Sequence, residues 1–100
     1  MMSKGYLEAV AEGLRKASEV MRKLKKGEVE AVLLLPVTRV KSYITFKQGV
    51  GFLLIEEEPN GNCRVNKISW YKAKEWLMIH FLIPPSIEET QKPACLSYEK

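Results

Sequence analysis

The sequence predicts an α+β fold with an N-terminal amphipathic helix, a four-stranded antiparallel sheet, a second helix and a C-terminal tail. Three observations support this class. Apolar side chains recur at helical spacing near the N-terminus, short β-branched and aromatic runs separated by turn residues fill the middle, and a second apolar segment follows Ser69. At 100 residues, 46 % of them hydrophobic and 28 % charged, the chain has the length and composition of one globular domain.

The N-terminal helix is predicted for residues 3–26, with Ser3 as its N-cap and Gly27 at the C′ position. Its apolar side chains are spaced three and four residues apart: Leu7, Val10, Leu14, Ala17, Met21 and Leu24. This stripe favours packing on the sheet, and a helix–helix contact between two copies is the alternative. The last turns carry a cluster of cations: Arg22, Lys23, Lys25 and Lys26. Such cations stabilise a helix C-terminus, and contact with phosphate is the competing interpretation.

The sheet is predicted in the core region, residues 28–83, from four runs with strand patterning. The strands are residues 29–35, 40–46, 49–55 and 63–68. A hairpin loop that includes Gly49 joins the second strand to the third, and the pair Asn60-Gly61 marks a turn before the fourth. This order predicts a meander of antiparallel strands.

The second helix is predicted to begin at Trp70, with Ser69 as its cap, and to end at about Phe81. Residues 76–83 would also suit a strand, because they are rich in Ile, Phe and Trp. Residues 84–100 begin with two prolines, which end either element, and are expected to form an extended tail or one short turn.

Composition argues against most catalytic and metal-binding classes. All acidic residues are Glu, the one histidine is His80, and the two cysteines, Cys63 and Cys95, lie far apart. The composition therefore excludes a Ser-His-Asp triad and argues against a closely spaced zinc site. We expect no enzyme, metal or cofactor, with an enzyme that uses His80 or Cys63 as a distant alternative. The cysteines are expected to be reduced thiols, although a single disulfide stays open.

The sequence predicts a cytoplasmic location. It has neither an apolar signal core near its N-terminus nor an apolar run of the roughly 20 residues that span a bilayer. Abundant Glu and Lys with few Gln and Asn favour a thermophilic source.

One face of the second strand combines cations, an aromatic ring and a hydroxyl: Lys41, Tyr43, Thr45 and Lys47. Cations contact phosphates and aromatic rings stack on unpaired bases, so the pattern is typical of a surface for single-stranded nucleic acid. The alternative is an ordinary exposed face with a basic bias. The candidate binding residues are Arg39, Lys41, Tyr43, Lys47, Phe52, Arg64, Lys67 and Trp70. We expect the Arg and Lys residues among them to neutralise phosphates, and Tyr43, Phe52 and Trp70 to stack on bases.

About half of the chain resembles the core of the positive-cofactor-four family, whose members are transcriptional coactivators that bind single-stranded DNA. The resemblance rests on four motifs: Phe46-Lys47-Gln48-Gly49, Ile55-Glu56-Glu57, Asn60-Gly61, and Lys67-Ile68-Ser69-Trp70 with Trp76. The long N-terminal helix is an addition to the family pattern and is similar to what archaeal single-stranded-DNA-binding proteins carry. The resemblance implies a dimer with helices at its interface and single strands lying along curved antiparallel sheets.

Together, these patterns predict a protein that binds single-stranded nucleic acid with low sequence specificity, single-stranded DNA being favoured over RNA. A homodimer or higher oligomer is expected, because a small domain buries more apolar surface that way. The alternative function is a protein-interaction or regulatory module that acts through the N-terminal helix stripe.

Overall fold

Two helices pack on one face of a five-stranded antiparallel sheet in the computed structural model, which describes residues 4–35, 38–82, 87–93 and 95. The elements are α1 (Lys4–Lys26), β1 (Ala31–Leu34), β2 (Lys41–Lys47), β3 (Gly51–Glu57), β4 (Cys63–Ile68), α2 (Trp70–Leu82) and β5 (Ile87–Thr90). The strand order is β4-β3-β2-β1-β5, so the first four strands form a meander. The α+β class is confirmed, and the sheet has five strands rather than four.

The fifth strand, β5, was not predicted, because residues 84–100 were expected to form a tail. It pairs antiparallel with β1, from Ile87 opposite Leu34 to Thr90 opposite Ala31. Two of its four residues are Glu. Charged side chains are tolerated at the exposed edge of a sheet, but they remove the alternation of apolar and polar residues by which a strand is recognised in a sequence. The strand alternative for residues 76–83 is wrong for residues 76–82, which are helical. Residues 83–86 lie outside the described part of the chain.

The predicted helix signals are confirmed where the structure describes them. Gly27 has a φ of 78° and its N–H donates to the Leu24 carbonyl at 3.2 Å, while the Glu28 N–H donates to the Lys23 carbonyl at 3.0 Å. This pair of bonds is a Schellman motif and ends α1. At the start of α2, the Ser69 Oγ accepts the Lys72 N–H at 3.0 Å. Ser3 lies outside the described residues.

The face of the sheet under the helices, here called the inner face, carries the main core. Its buried residues include Ala17, Met21, Leu24, Val32, Ile44, Phe52, Ala73 and Leu77. The last half of the predicted helix stripe is therefore confirmed as packing on the sheet. The first half is not buried in this way, because Leu7 and Leu14 are 57 % and 39 % exposed.

The opposite, outer face carries a second core cluster, whose buried members are Ala31, Tyr43, Leu53 and Ile55. Cys63 and Cys95 pack against this cluster and are joined by a disulfide, so the expectation of two reduced thiols is wrong in this structure. None of the described helices is long and apolar enough to cross a membrane.

Candidate nucleic-acid interface

The structure buries the aromatic residue at the centre of the predicted binding face. Lys41 and Lys47 are exposed at the two ends of β2, but Tyr43 is only 7 % exposed between them. The Tyr43 hydroxyl donates to Glu57 Oε1 at 3.3 Å, and burial together with the Glu57 charge raises the pKa of the tyrosine. Tyr43 therefore cannot stack on a base in this structure, which corrects its expected placement on an open surface.

Phe52 and Arg64 are also placed differently from the expectation, because both belong to the inner face. Phe52 lies directly opposite Phe46, with ring centroids 5.0 Å apart, and is 4 % exposed. Arg64 lies opposite Glu56 and pairs with its carboxylate at 3.4 Å. Side chains directly opposite each other in a sheet share a face, so neither residue flanks Lys41.

The remaining predicted cations divide between the two ends of the sheet. Arg39 and Lys41 line a shallow depression together with Glu57 and Glu58, whose charges offset theirs. At the other end, beside the β2–β3 hairpin, Lys67 is exposed and its Cε lies 3.8 Å from where a Cβ on Gly51 would stand.

A second concave surface is more basic than the depression beside Arg39 and Lys41: a cleft of about 340 Å³ between the last turns of α1 and the start of α2. We call it the Trp70 cleft, and it is lined by Ser18, Met21, Arg22, Lys25, Lys26 and Trp70. Its volume lies within the range typical of ligand sites. Trp70 is 54 % exposed, and none of the lining residues is acidic.

The antiparallel packing of the helices brings these residues together. A Cβ added at Gly13 of α1 would meet Met78 and Leu82 near the end of α2, each at 3.5 Å, so the end of α1 lies beside the beginning of α2. Arg22, Lys25 and Lys26 share one side of α1 because residues three and four apart are neighbours on a helix.

The sequence predicted part of this site, namely the cations at the end of α1, but not their position beside Trp70. Phosphate contact was an alternative for the cluster at the end of α1, but nothing in the sequence placed that cluster beside Trp70. Lys23 of the same cluster instead pairs with Glu89 of β5 at 3.3 Å. Lys74, which lines an adjoining groove rather than the cleft, was missed as a neighbour of Trp70, although its i+4 spacing is a usable signal: its Nζ lies 5.1 Å from the centre of the indole ring.

One group of potential metal ligands occurs among the described residues, namely Glu57, Cys63 and Cys95. The two sulfurs are bonded to each other, so they do not offer thiolate ligands to a metal. His80 Nδ1 donates a hydrogen bond at 2.8 Å to the Trp76 carbonyl in its own helix, which is a structural role.

The chain matches no family model, no curated protein and no solved structure. The resemblance to the positive-cofactor-four family therefore stays a prediction.

Proposed function

We propose that this protein binds single-stranded nucleic acid, DNA in preference to RNA, through the Trp70 cleft. The observation that carries the proposal is the half-exposed indole ring of Trp70 beside Arg22, Lys25 and Lys26. Stacking of a base on an aromatic ring contributes about 1–3 kcal/mol, and the cations are placed to contact the flanking phosphates. No metal or cofactor is required, and neither catalysis nor a particular cellular location follows from this proposal.

Low sequence specificity follows from the chemistry of the cleft. Stacking and phosphate contact do not distinguish bases, and Ser18 is the one uncharged side chain with hydrogen-bonding groups besides Trp70 among the lining residues. A strand that extends beyond the cleft could reach Lys67, which lies at the same end of the molecule but on the outer face of the sheet.

Fluorescence anisotropy with a labelled oligonucleotide tests the proposal. The wild-type protein should bind a single strand of about 20 bases more tightly than the duplex of the same sequence, because only unpaired bases can stack in the cleft. Trp70→Ala should weaken single-strand binding by about 5- to 150-fold, which corresponds to the loss of one stacked base.

Tyr6→Ala is the matched control, because Tyr6 is an aromatic residue of similar exposure, 55 %, that lies in the first turn of α1 and does not line the cleft. It should leave the affinity almost unchanged. Circular dichroism should show that both variants keep the fold. Equal affinities of wild type and Trp70→Ala would refute the assignment of the cleft.

A protein-interaction module, including a homo-oligomer, is the second candidate, and one observation favours it. The two helices expose a group of large apolar side chains away from the sheet: Leu7, Leu14, Tyr71, Ile79 and Leu82. Leu14 and Tyr71 line one groove between the helices together with Met78, and adjoining exposed apolar side chains commonly mark a binding site for protein. Sedimentation analysis of wild type and Leu7→Glu distinguishes the cases, since self-association through this surface should be lost in the variant and an unchanged oligomeric state would argue against it.

A further inference from the structure

A short covalently attached segment crosses the outer face of the sheet. β5 lies at one edge, and the chain then runs through five residues to Cys95, which is bonded to Cys63 of β4 at the other edge. We call residues 91–95 the strap; residues 91–93 and 95 are described. Neighbouring strands lie about 4.8 Å apart, so β5 and β4 are separated by about 19 Å.

The strap is long enough to make this crossing, because the disulfide bridges part of the distance. Five residues span at most about 18 Å, and the disulfide leaves the two Cα atoms 6.3 Å apart. The path therefore passes over β1, β2 and β3. Pro93, near the middle of the strap, is buried, and Cys95 packs against the outer-face cluster.

The residues that face the strap would form an apolar surface without it. Ile55 is 0 % exposed, Tyr43 7 % and Leu53 8 %, although all three point away from the helices. A sheet in which both faces are covered buries these side chains, whereas a sheet with helices on one face alone would leave them in water.

The strap is held mainly at its two ends. Its beginning is fixed by the pairing of β5 with β1 and by the ion pair between Lys23 and Glu89. Between those anchors and the disulfide, residues 91–93 and 95 make no hydrogen bond to another described residue. The far end is thus retained by the Cys63–Cys95 bond, and the middle of the strap is held by the burial of Pro93.

We propose that the Cys63–Cys95 disulfide is a redox latch: its reduction by a dithiol releases the strap and opens the outer face of the sheet, and its re-formation by the reverse exchange, with a small disulfide as the oxidant, closes that face again. Both cysteines are partly exposed, so a small dithiol can reach them. The inference goes beyond the proposed function, because the Trp70 cleft lies on the helical side and either one can fail without the other.

The chemistry of opening is thiol–disulfide exchange. A thiolate of the dithiol attacks one sulfur of the bond, the S–S bond breaks, and the departing sulfur takes up a proton. The second thiolate of the dithiol then resolves the mixed disulfide. The protein gains two thiols, and the dithiol is oxidised to its cyclic disulfide.

NMR of methyl groups in the presence of a neutral paramagnetic probe tests the latch, with the oxidised protein and the protein reduced by dithiothreitol compared. Ile55 and Ile44 are matched reporters, since both are 0 % exposed but lie on the outer and inner faces, respectively. Titration of two thiols per chain verifies the reduction. We expect reduction to raise the relaxation enhancement at the Ile55 methyls severalfold and to leave Ile44 unchanged.

Cys95→Ser without reductant should reproduce the reduced state, because it removes the bond and conserves the size of the side chain. If the Ile55 methyls stay shielded when both thiols are free, the proposal is overturned, because packing alone would then hold the strap in place. Equal exposure of Ile55 and Ile44 would also overturn it, since the disulfide would then stabilise the whole fold rather than control one face.

Discussion

The salt dependence of oligonucleotide binding provides a quantitative test of the Trp70 cleft. Replacing Arg22, Lys25 and Lys26 together with Gln removes the cations that line it. Each phosphate contact with a single strand contributes about 0.7 to the slope of log affinity against log salt, so the loss of three contacts should reduce the slope by about 2. Between 50 and 200 mM salt, this difference amounts to about 20-fold in relative affinity.

The matched control replaces Arg39, Lys41 and Arg64 with Gln, at the cations predicted from the sequence but placed away from the cleft. Each triple variant subtracts three charges from the net charge of +4 and leaves +1. Anisotropy titrations at several salt concentrations should show the reduced slope in the cleft variant alone. Equal reductions in both variants would mean that net charge governs binding, and a reduction in the control alone would move the interface to the other cations. Either outcome would refute the cleft.

Three further predictions concern stability. Leu77→Ala should lower the free energy of unfolding by about 2–5 kcal/mol in urea titrations, because Leu77 is 0 % exposed in the main core, whereas Ile79→Ala, at a 43 % exposed position of the same helix, should cost much less. Loss of the Cys63–Cys95 bond, which closes a loop with a sequence separation of 32, should cost about 3–4 kcal/mol by the chain-entropy relation; a loss near zero in thermal and urea unfolding would contradict that relation here. The pKa of Tyr43 is raised in the folded state, so the folded protein keeps the hydroxyl proton to a higher pH than the unfolded chain does. The free energy of unfolding should therefore be unaffected well below pH 10 and fall as the pH rises through the folded-state pKa. Tyr43→Phe should lessen this alkaline loss of stability, and identical pH profiles of the two proteins would count against the burial of the hydroxyl.

The parts of the fold that followed from sequence are those decided by neighbouring residues. Gly27 ends α1 and Ser69 begins α2 because each acts within one helical turn. The Asn60-Gly61 turn forms in the same local way: the Asn60 side chain accepts the Asn62 N–H at 3.0 Å, and Gly61 has a φ of 91°.

The candidate surface was predicted less well, since strand alternation shows which side chains share a face but not whether that face is covered. Tyr43 does lie on the same side as Lys41, yet the pattern contains no information about a segment that reaches this side from beyond α2. Phe52 could have been placed from the sequence, because a hairpin with a three-residue loop, residues 48–50, puts it opposite Phe46 in the core.

The position of β5 has a consequence for the chain as it is synthesised. β1 leaves the ribosome well before β5, the strand that pairs with its free edge, because β5 comes after α2. Until residues 87–90 arrive, one backbone edge of β1, a strand with the apolar sequence AVLL, stays unpaired. Exposed apolar strand edges of this kind pair readily with other chains. The nascent protein therefore passes through a stage that is prone to aggregation, and the short acidic strand that ends this stage is also the element that protects the finished sheet.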